Sequence, residues 1–413
     1  MTQLKKQITG ALTIGLMVAQ LLAPVAAYAE DGINLTISGN GAQSTSVENV
    51  AVVNTTTVSQ TNTSNVTNNV DSKSNSGGND ANYNTGGDVA VITGKATSNV
   101  DVLNDLNKNI ATVDCCEPAS TTVTIDGNGY QTKNDVNLSQ TNTNALVQTN
   151  VANVLNNVDS KANSGWNDAK YNTGGDTTII TGDAEAGAEV ATHANTNVGM
   201  IGEPLVGGNN GGVSLWITGN GANSDNSIAL ALAKANTIAQ TNVANITNDV
   251  YAKANSGGND ANGNTGGDVA IITGKADAMV GVDNDVNFNW ADVDCGCITN
   301  VEGKIAGNGY MSKNDINASL TSYLYDAQLN TANLLNDVDA KAKSGYNDAN
   351  YNTGPVLDDP VVIMTGAASS STEVANSTNT NVYGQGVFPL PPMPEVDWDF
   401  DLGWSWFLGW MHS

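Results

Sequence analysis

Residues 228–254 read IALALAKANTIAQTNVANITNDVYAKA. The even positions are Ile228, Leu230, Leu232, Lys234, Asn236, Ile238, Gln240, Asn242, Ala244, Ile246, Asn248, Val250, Ala252 and Ala254, and the odd positions are mostly Ala, Thr, Asn and Asp. Period two belongs to an extended strand with one face turned inward, because successive side chains of a strand point to opposite sides. Three further stretches keep the same register. Gln60, Gln148 and Gln328 stand where Gln240 does, Asn68, Asn156 and Asn336 where Asn248 does, and Val70, Val158 and Val338 where Val250 does. A helical face can also be drawn through Ile316, Leu320, Leu324, Ala327, Thr331, Leu335 and Val338. The first copy decides against it, since Asn54 to Asn69 is dominated by Thr, Ser, Asn and Val, which lose side-chain freedom in a helix or favour other backbone bonding. Copies of one pattern share one fold, so all four are read as strand.

The copies belong to a longer repeat. The tripeptide GNG occurs at Gly39-Asn40-Gly41, Gly127-Asn128-Gly129, Gly219-Asn220-Gly221 and Gly307-Asn308-Gly309, in steps of 88, 92 and 88 residues (127−39, 219−127, 307−219). Short apolar runs precede GNG, as at Ile33 to Ile37, and others follow the loop SGxNDAxxNTG, as at Val89 to Thr93 and Val269 to Thr273. A longer alternating segment closes each repeat, with Val280, Val282, Asn284, Val286, Phe288 and Trp290 expected on one face, matched by Val100, Val102, Asn104, Leu106 and Ile110. About five strands per repeat are expected, in an all-β array of four repeats at 30–120, 121–210, 211–300 and 301–383. Such an array is either a β-solenoid or a row of tandem β-sandwich modules.

The inward amides favour the solenoid. Sandwich cores prefer aliphatic and aromatic residues, whereas stacked coils let each Gln or Asn bond its equivalent above and below, so that it is buried yet paired. An inward amide ladder is therefore expected through Gln60, Gln148, Gln240 and Gln328, and another through Asn68, Asn156, Asn248 and Asn336. With its recurring Gln-x-Asn element, as at Gln60-Thr-Asn62, its GNG and GGN turns and its small residues, the chain resembles curlin-type amyloid fibre subunits. With segments such as ITGKATSNVDVLNDLN at 92–107, it is similar as well to the Asn/Thr-rich repeat proteins secreted by candidate-phylum bacteria. Those resemblances imply an extracellular, fibre-forming role.

Composition agrees with export. Lys5 and Lys6, the apolar run Ile8 to Leu22 and Ala27-Tyr28-Ala29 read as a signal peptide over 1–29, and no later segment is long and apolar enough for a transmembrane span. All 15 basic residues are Lys, against 41 acids, for a formal charge of −26. Without Arg forks or a basic patch, nucleic acid is not an expected partner.

The loop SGxNDAxxNTG offers the best candidate chemistry. Asp80, Asn82, Asn84 and Asp88, then Asp168, Asn172 and Asp176, then Asp260, Asn262, Asn264 and Asp268, then Asp348, Asn350 and Asn352 place hard oxygen ligands at alternate positions, as Ca²⁺ requires. The competing reading is an Asx-rich turn whose side chains bond their own backbone. Ca²⁺ is thus the one cofactor suggested. Nearby Lys73, Lys161, Lys253 and Lys341 recur at one register and are read as surface ion pairs. Cys115, Cys116, Cys295 and Cys297 are expected to be oxidised in an exported chain, with three connectivities open.

Catalysis has little to stand on. The chain has two histidines, His193 and His412, and no G-x-S-x-G, H-E-x-x-H or phosphate loop. A Pro-rich linker at 384–395 leads to 396–413, where Trp398, Phe400, Leu402, Trp404, Trp406, Leu408 and Trp410 share one face of a strand. That strand either caps its own array or is donated to a neighbouring copy or an envelope component. The expected role is a secreted structural or adhesive surface protein that self-assembles; the rivals are a calcium-stabilised module binding glycans or cells, and a polysaccharide-active β-helix enzyme.

Overall fold

A computed structural model of the chain describes residues 33–113, 121–202, 212–293, 301–354 and 361–384. The leader, all four cysteines and the aromatic strand at 396–413 lie outside the described residues.

The described chain is all-β, and each repeat contributes four strands rather than about five. Repeat one holds β1 (Ile33–Ser38), β2 (Thr45–Asn75), β3 (Val89–Ile92) and β4 (Ala96–Val113). Repeat two holds β5 (Thr121–Asp126), β6 (Lys133–Asn163), β7 (Thr177–Ile180) and β8 (Ala184–Ile201), and repeat three β9 (Val213–Thr218), β10 (Asp225–Asn255), β11 (Val269–Ile272) and β12 (Ala276–Val293). Repeat four holds β13 (Val301–Ala306), β14 (Lys313–Lys343), β15 (Val361–Met364) and β16 (Ala368–Tyr383). No fifth strand occurs among the described residues of a repeat, because the long alternating stretch runs unbroken for 31 residues. No Gly or Pro interrupts it in any repeat, so nothing in it forces a turn.

Each strand pairs with its equivalent in the next repeat, always parallel. The sheets run β1-β5-β9-β13, β2-β6-β10-β14, β3-β7-β11-β15 and β4-β8-β12-β16. Every repeat is therefore one coil of a β-solenoid, and the tandem-sandwich alternative is excluded by pairing that runs between repeats rather than within them. Gln60 aligns with Gln148, Gln148 with Gln240, and Gln240 with Gln328. The four additional residues of the second step fall between Ile201 of β8 and Val213 of β9, outside the ladders, so no register is disturbed.

The coil is flattened into two layers. The long sheet is one wall, spanning about 100 Å at the usual strand rise. Its first part packs against the β1 series in a cluster that includes Val123, Ile125, Val136, Leu138, Leu215, Ile217, Ile228 and Leu230. Farther along it packs against the β4 series through small residues such as Ala162, Ala184, Ala186, Val250, Ala252 and Ala276. A third cluster sits under the SGxNDAxxNTG loop, where Ala169 and Ala261 meet Val91, Ile179, Val269 and Ile271.

The last strand of each coil does not keep one face inward to its end. Asn107, Asn195, Asn287 and Asn379 adopt positive φ, between 58° and 67°, and drop out of the pairing register. This single-residue bulge exchanges the two faces. Beyond it Asn109, Asn197 and Asn289 point inward, while Ile110 is 54% exposed. Phe288 and Trp290 thus stand in the opposite register to Val280 and Val282, correcting the single face expected from alternation.

Candidate functional site

The inward amides form continuous ladders. Gln148 Nε2 donates to Gln60 Oε1, Gln240 Nε2 to Gln148 Oε1 and Gln328 Nε2 to Gln240 Oε1, each at 2.8 Å. Gln60, Gln148, Gln240 and Gln328 also donate across the layer to a backbone carbonyl, at Ile110, Val198, Trp290 and Val382 respectively. Asn68 donates to Asn156, Asn156 to Asn248 and Asn248 to Asn336, at 2.6–2.7 Å. Burial of these groups in the middle coils costs little because every coil supplies the next with a partner.

A third ladder escapes the sequence reading. Asn62, Asn150, Asn242 and Asn330 bond along the array and also across it, to Asn109, Asn197, Asn289 and Asn381. The second half of this zipper comes inward only because of the bulge at Asn107 and its equivalents. Identity at one register in all four repeats was the available signal for Asn62 and for Asn109 alike, but period two sets Asn109 on the outward face.

The two kinds of ladder run in opposite senses. Gln side chains donate from a later coil to an earlier one, whereas Asn62 and Asn68 donate from an earlier coil to a later one. The outward Asn column follows the Gln sense, Asn153 donating to Asn65, Asn245 to Asn153 and Asn333 to Asn245, all at 2.8 Å.

In the SGxNDAxxNTG loop the predicted ligands stack in columns rather than converge within one loop. Asp80, Asp168, Asp260 and Asp348 pair successively as parallel bridges. The backbone N–H of Asn84 donates to Asn172 Oδ1, that of Asn172 to Asn264 Oδ1, and that of Asn264 to Asn352 Oδ1, at 2.8–2.9 Å. Asn82 accepts from the Lys170 backbone N–H, Asn262 from that of Asn350, Asp88 from that of Asp176, and Asp176 from that of Asp268. These side chains therefore clip one coil to the next, a partnership different from the local Asx turn. Asn79, Asn167, Asn259 and Asn347, which the sequence reading leaves unmarked, extend that pattern, and Asn167 and Asn259 are fully buried. Among the described residues no three His, Cys, Asp or Glu side chains group as a metal cage.

Charge is arranged in the same columnar way. Lys170 Nζ lies 2.7 Å from Asp260 and 3.0 Å from Asp168, and the Asp260 hydrogen bond above all holds its pKa raised. Lys73, Lys161 and Lys341 each pair with the Asp two residues earlier, Asp71, Asp159 and Asp339. Coil three has Tyr251 in that column, and its ring is approached by Lys161 and Lys341. On the outer face of the β4 series, burial first and then the neighbouring Asp101 and Asp283 push Glu189 up to about 7.

Aromatic residues line the loop edge. Tyr83, Trp166, Tyr171, Tyr346 and Tyr351 all adopt φ of 58–62° and are exposed. Bulky side chains rarely accept that conformation, which costs about 1–2 kcal/mol per residue. Tyr83 and Tyr171 stack with centroids 5.3 Å apart, and the Trp166 and Tyr171 rings cover Gly258 and Gly263 of the following coil.

Both ends of the array are open among the described residues: β1 to β4 at one end and β13 to β16 at the other have a neighbouring strand on one side alone. Inward side chains that are buried in coils two and three are accordingly half-open there, with Leu324 55% exposed. The chain matches no protein-family model, no curated protein and no solved structure.

Proposed function

We propose that this chain is a secreted, non-catalytic structural protein that assembles with itself into extracellular filaments. One observation carries the reading: among the described residues, four parallel four-stranded sheets end on unpaired edge strands at both ends. Such edges are templates for further strands, and proteins that remain single normally blunt them with bulges, prolines or inward charge. β2 and β14 contain no proline, and against their 31-residue length the blunting devices are few: one carboxylate at an inward register position in each, Glu48 beside Val136 and Asp326 beside Ile238, and the bulges at Asn107 of β4 and Asn379 of β16 that every coil shares. Export rests on the leader read from sequence at 1–29.

The exposed loop-edge aromatics support an adhesive role for the filament surface, since a row of strained, solvent-facing rings is built for contact rather than for the core. Purified mature chain is the material for the test. Electron microscopy and fibre diffraction should give filaments with an axial repeat of about 4.7–4.8 Å. Monodisperse rods at all concentrations would overturn the reading.

A further inference from the structure

Resting on that self-assembly, we infer that coil four of one copy stacks on coil one of the next, in register, so that the filament is polar and grows head to tail. Three independent features of the end faces point to a second copy of this chain as the occupant.

The first is glycine. In one column a Cβ on Gly77, Gly165 or Gly257 would lie 2.0–2.1 Å from the carbonyl oxygen of the next coil's glycine. Gly345 closes that column on coil four, with nothing within 4 Å. In another column a Cβ on Gly129, Gly221 or Gly309 would strike the preceding coil's backbone at 2.3–2.8 Å, while Gly41 on coil one has nothing within 4 Å. Neither Gly41 nor Gly345 has a positive φ. Nothing among the described residues requires glycine at either end; stacking coil one on coil four does.

The second is aromatic. Trp166 covers Gly258 of the coil that follows it. Its equivalent on coil four, Tyr346, is 81% exposed, and the equivalent of Gly258 on coil one is Gly78, with open space above it. A junction between copies sets Tyr346 over Gly78 as Trp166 sits over Gly258.

The third is ladder polarity. Coil four ends on Gln328 Oε1, an acceptor, and coil one on Gln60, which has an N–H left after its bond to the Ile110 carbonyl. The Asn68 ladder, running the other way, ends on the Asn336 amide donor and begins on Asn68 Oδ1. Two identical ends would set donor against donor or acceptor against acceptor in both the Gln ladder and the Asn68 ladder, whereas unlike ends continue both.

The test uses the mature chain with Gly41→Ala or Gly345→Ala. Each variant is expected to melt as the wild type does when monomeric, and to fail to elongate at about ten times the wild-type critical concentration, a shift of about 1.4 kcal/mol or more at the junction. An equal mixture should form a one-to-one dimer through the two unmodified ends. Homodimers of either variant alone, normal filaments from Gly345→Ala, or a lowered monomer melting temperature for it, as when the chain's own carboxy-terminal segment covers coil four, would each overturn the proposal. A second measurement stands even where those variants misfold. In filaments carrying both Asn65→Cys and Asn333→Cys, oxidation should yield a disulfide between position 65 of one copy and position 333 of the next, read as a cross-linked peptide pair by mass spectrometry, because in-register strands bring Cα atoms within disulfide range. Filaments lacking that pair overturn the head-to-tail arrangement and leave self-assembly intact; wild-type chains that never assemble overturn both.

Discussion

Replacing Gln240 by Glu separates a stacked amide ladder from a solvated face. Gln240 is fully buried, donates at 2.8 Å to both Gln148 Oε1 and the Trp290 carbonyl, and accepts from Gln328. A carboxylate keeps the accepted bond and loses both donated ones, leaving two acceptors facing a negative charge. Each buried acceptor left unserved costs about 1–3 kcal/mol. Burial of an unpaired charge adds several kcal/mol, which raising its own pKa relieves in part. A loss of about 5 kcal/mol or more is expected at neutral pH, becoming smaller in acid as the group protonates and regains one donor. At the open end Gln328→Glu should cost far less, because water reaches it. Urea unfolding monitored by circular dichroism, at pH 7 and pH 4, measures both. Equal stability of Gln240→Glu and wild type at pH 7 would refute the ladder and the register built on it.

The pH dependence has a second source in Glu189. Its folded pKa is raised to about 7 from an ordinary 4.5, so this group's contribution to stability is complete below about 4.5 and is lost as pH rises through 7. The shift corresponds to about 3 kcal/mol before solvent screening and about 1–2 kcal/mol after it. Glu189→Gln should therefore be the more stable form at pH 8 and equal to wild type at pH 4; no gain at pH 8 would discredit the crowding of Glu189 by Asp101 and Asp283. Gly165→Ala places a Cβ 2.0 Å from the Gly257 oxygen and should cost about 3 kcal/mol or more in a melting experiment, with a cost below about 1 kcal/mol excluding so close a contact between coils. Ca²⁺ and Mg²⁺ should raise the melting temperature equally, by screening acidic charge, since the Asn172 and Asn264 side-chain oxygens are already engaged by the preceding coil. A rise specific to Ca²⁺ would show that the loops open to bind it.

The solenoid was legible because its two signals coincide at the same residues. Gln240 sits on the inward face by period two and recurs at one register in every repeat, and the two together leave stacking as the way to bury an amide. The loop was legible as a site of Asx chemistry but not in its partners. Asn84 and Asn172 lie 88 residues apart in sequence, and no local turn rule reports a bond over that separation. The bulge at Asn287 was hidden for another reason. Asn tolerates positive φ more readily than most residues, yet Asn is so common here that one more carries no mark, and the face exchange it causes leaves the alternation intact on either side.

Neighbours in this molecule stand 88 or 92 residues apart along the chain, with few closer contacts to hold an emerging coil together. Topologies dominated by such distant pairings fold slowly, because the entropy of closing a long loop is lost before any ladder returns it. The first coil is the worst case, since it has no formed edge to add to. Each later coil meets a ready edge and needs only to lay strands along it. On the proposed export route the chain thus has time to remain unfolded until it emerges, and in the proposed filament an already folded coil is the surface on which that delay ends.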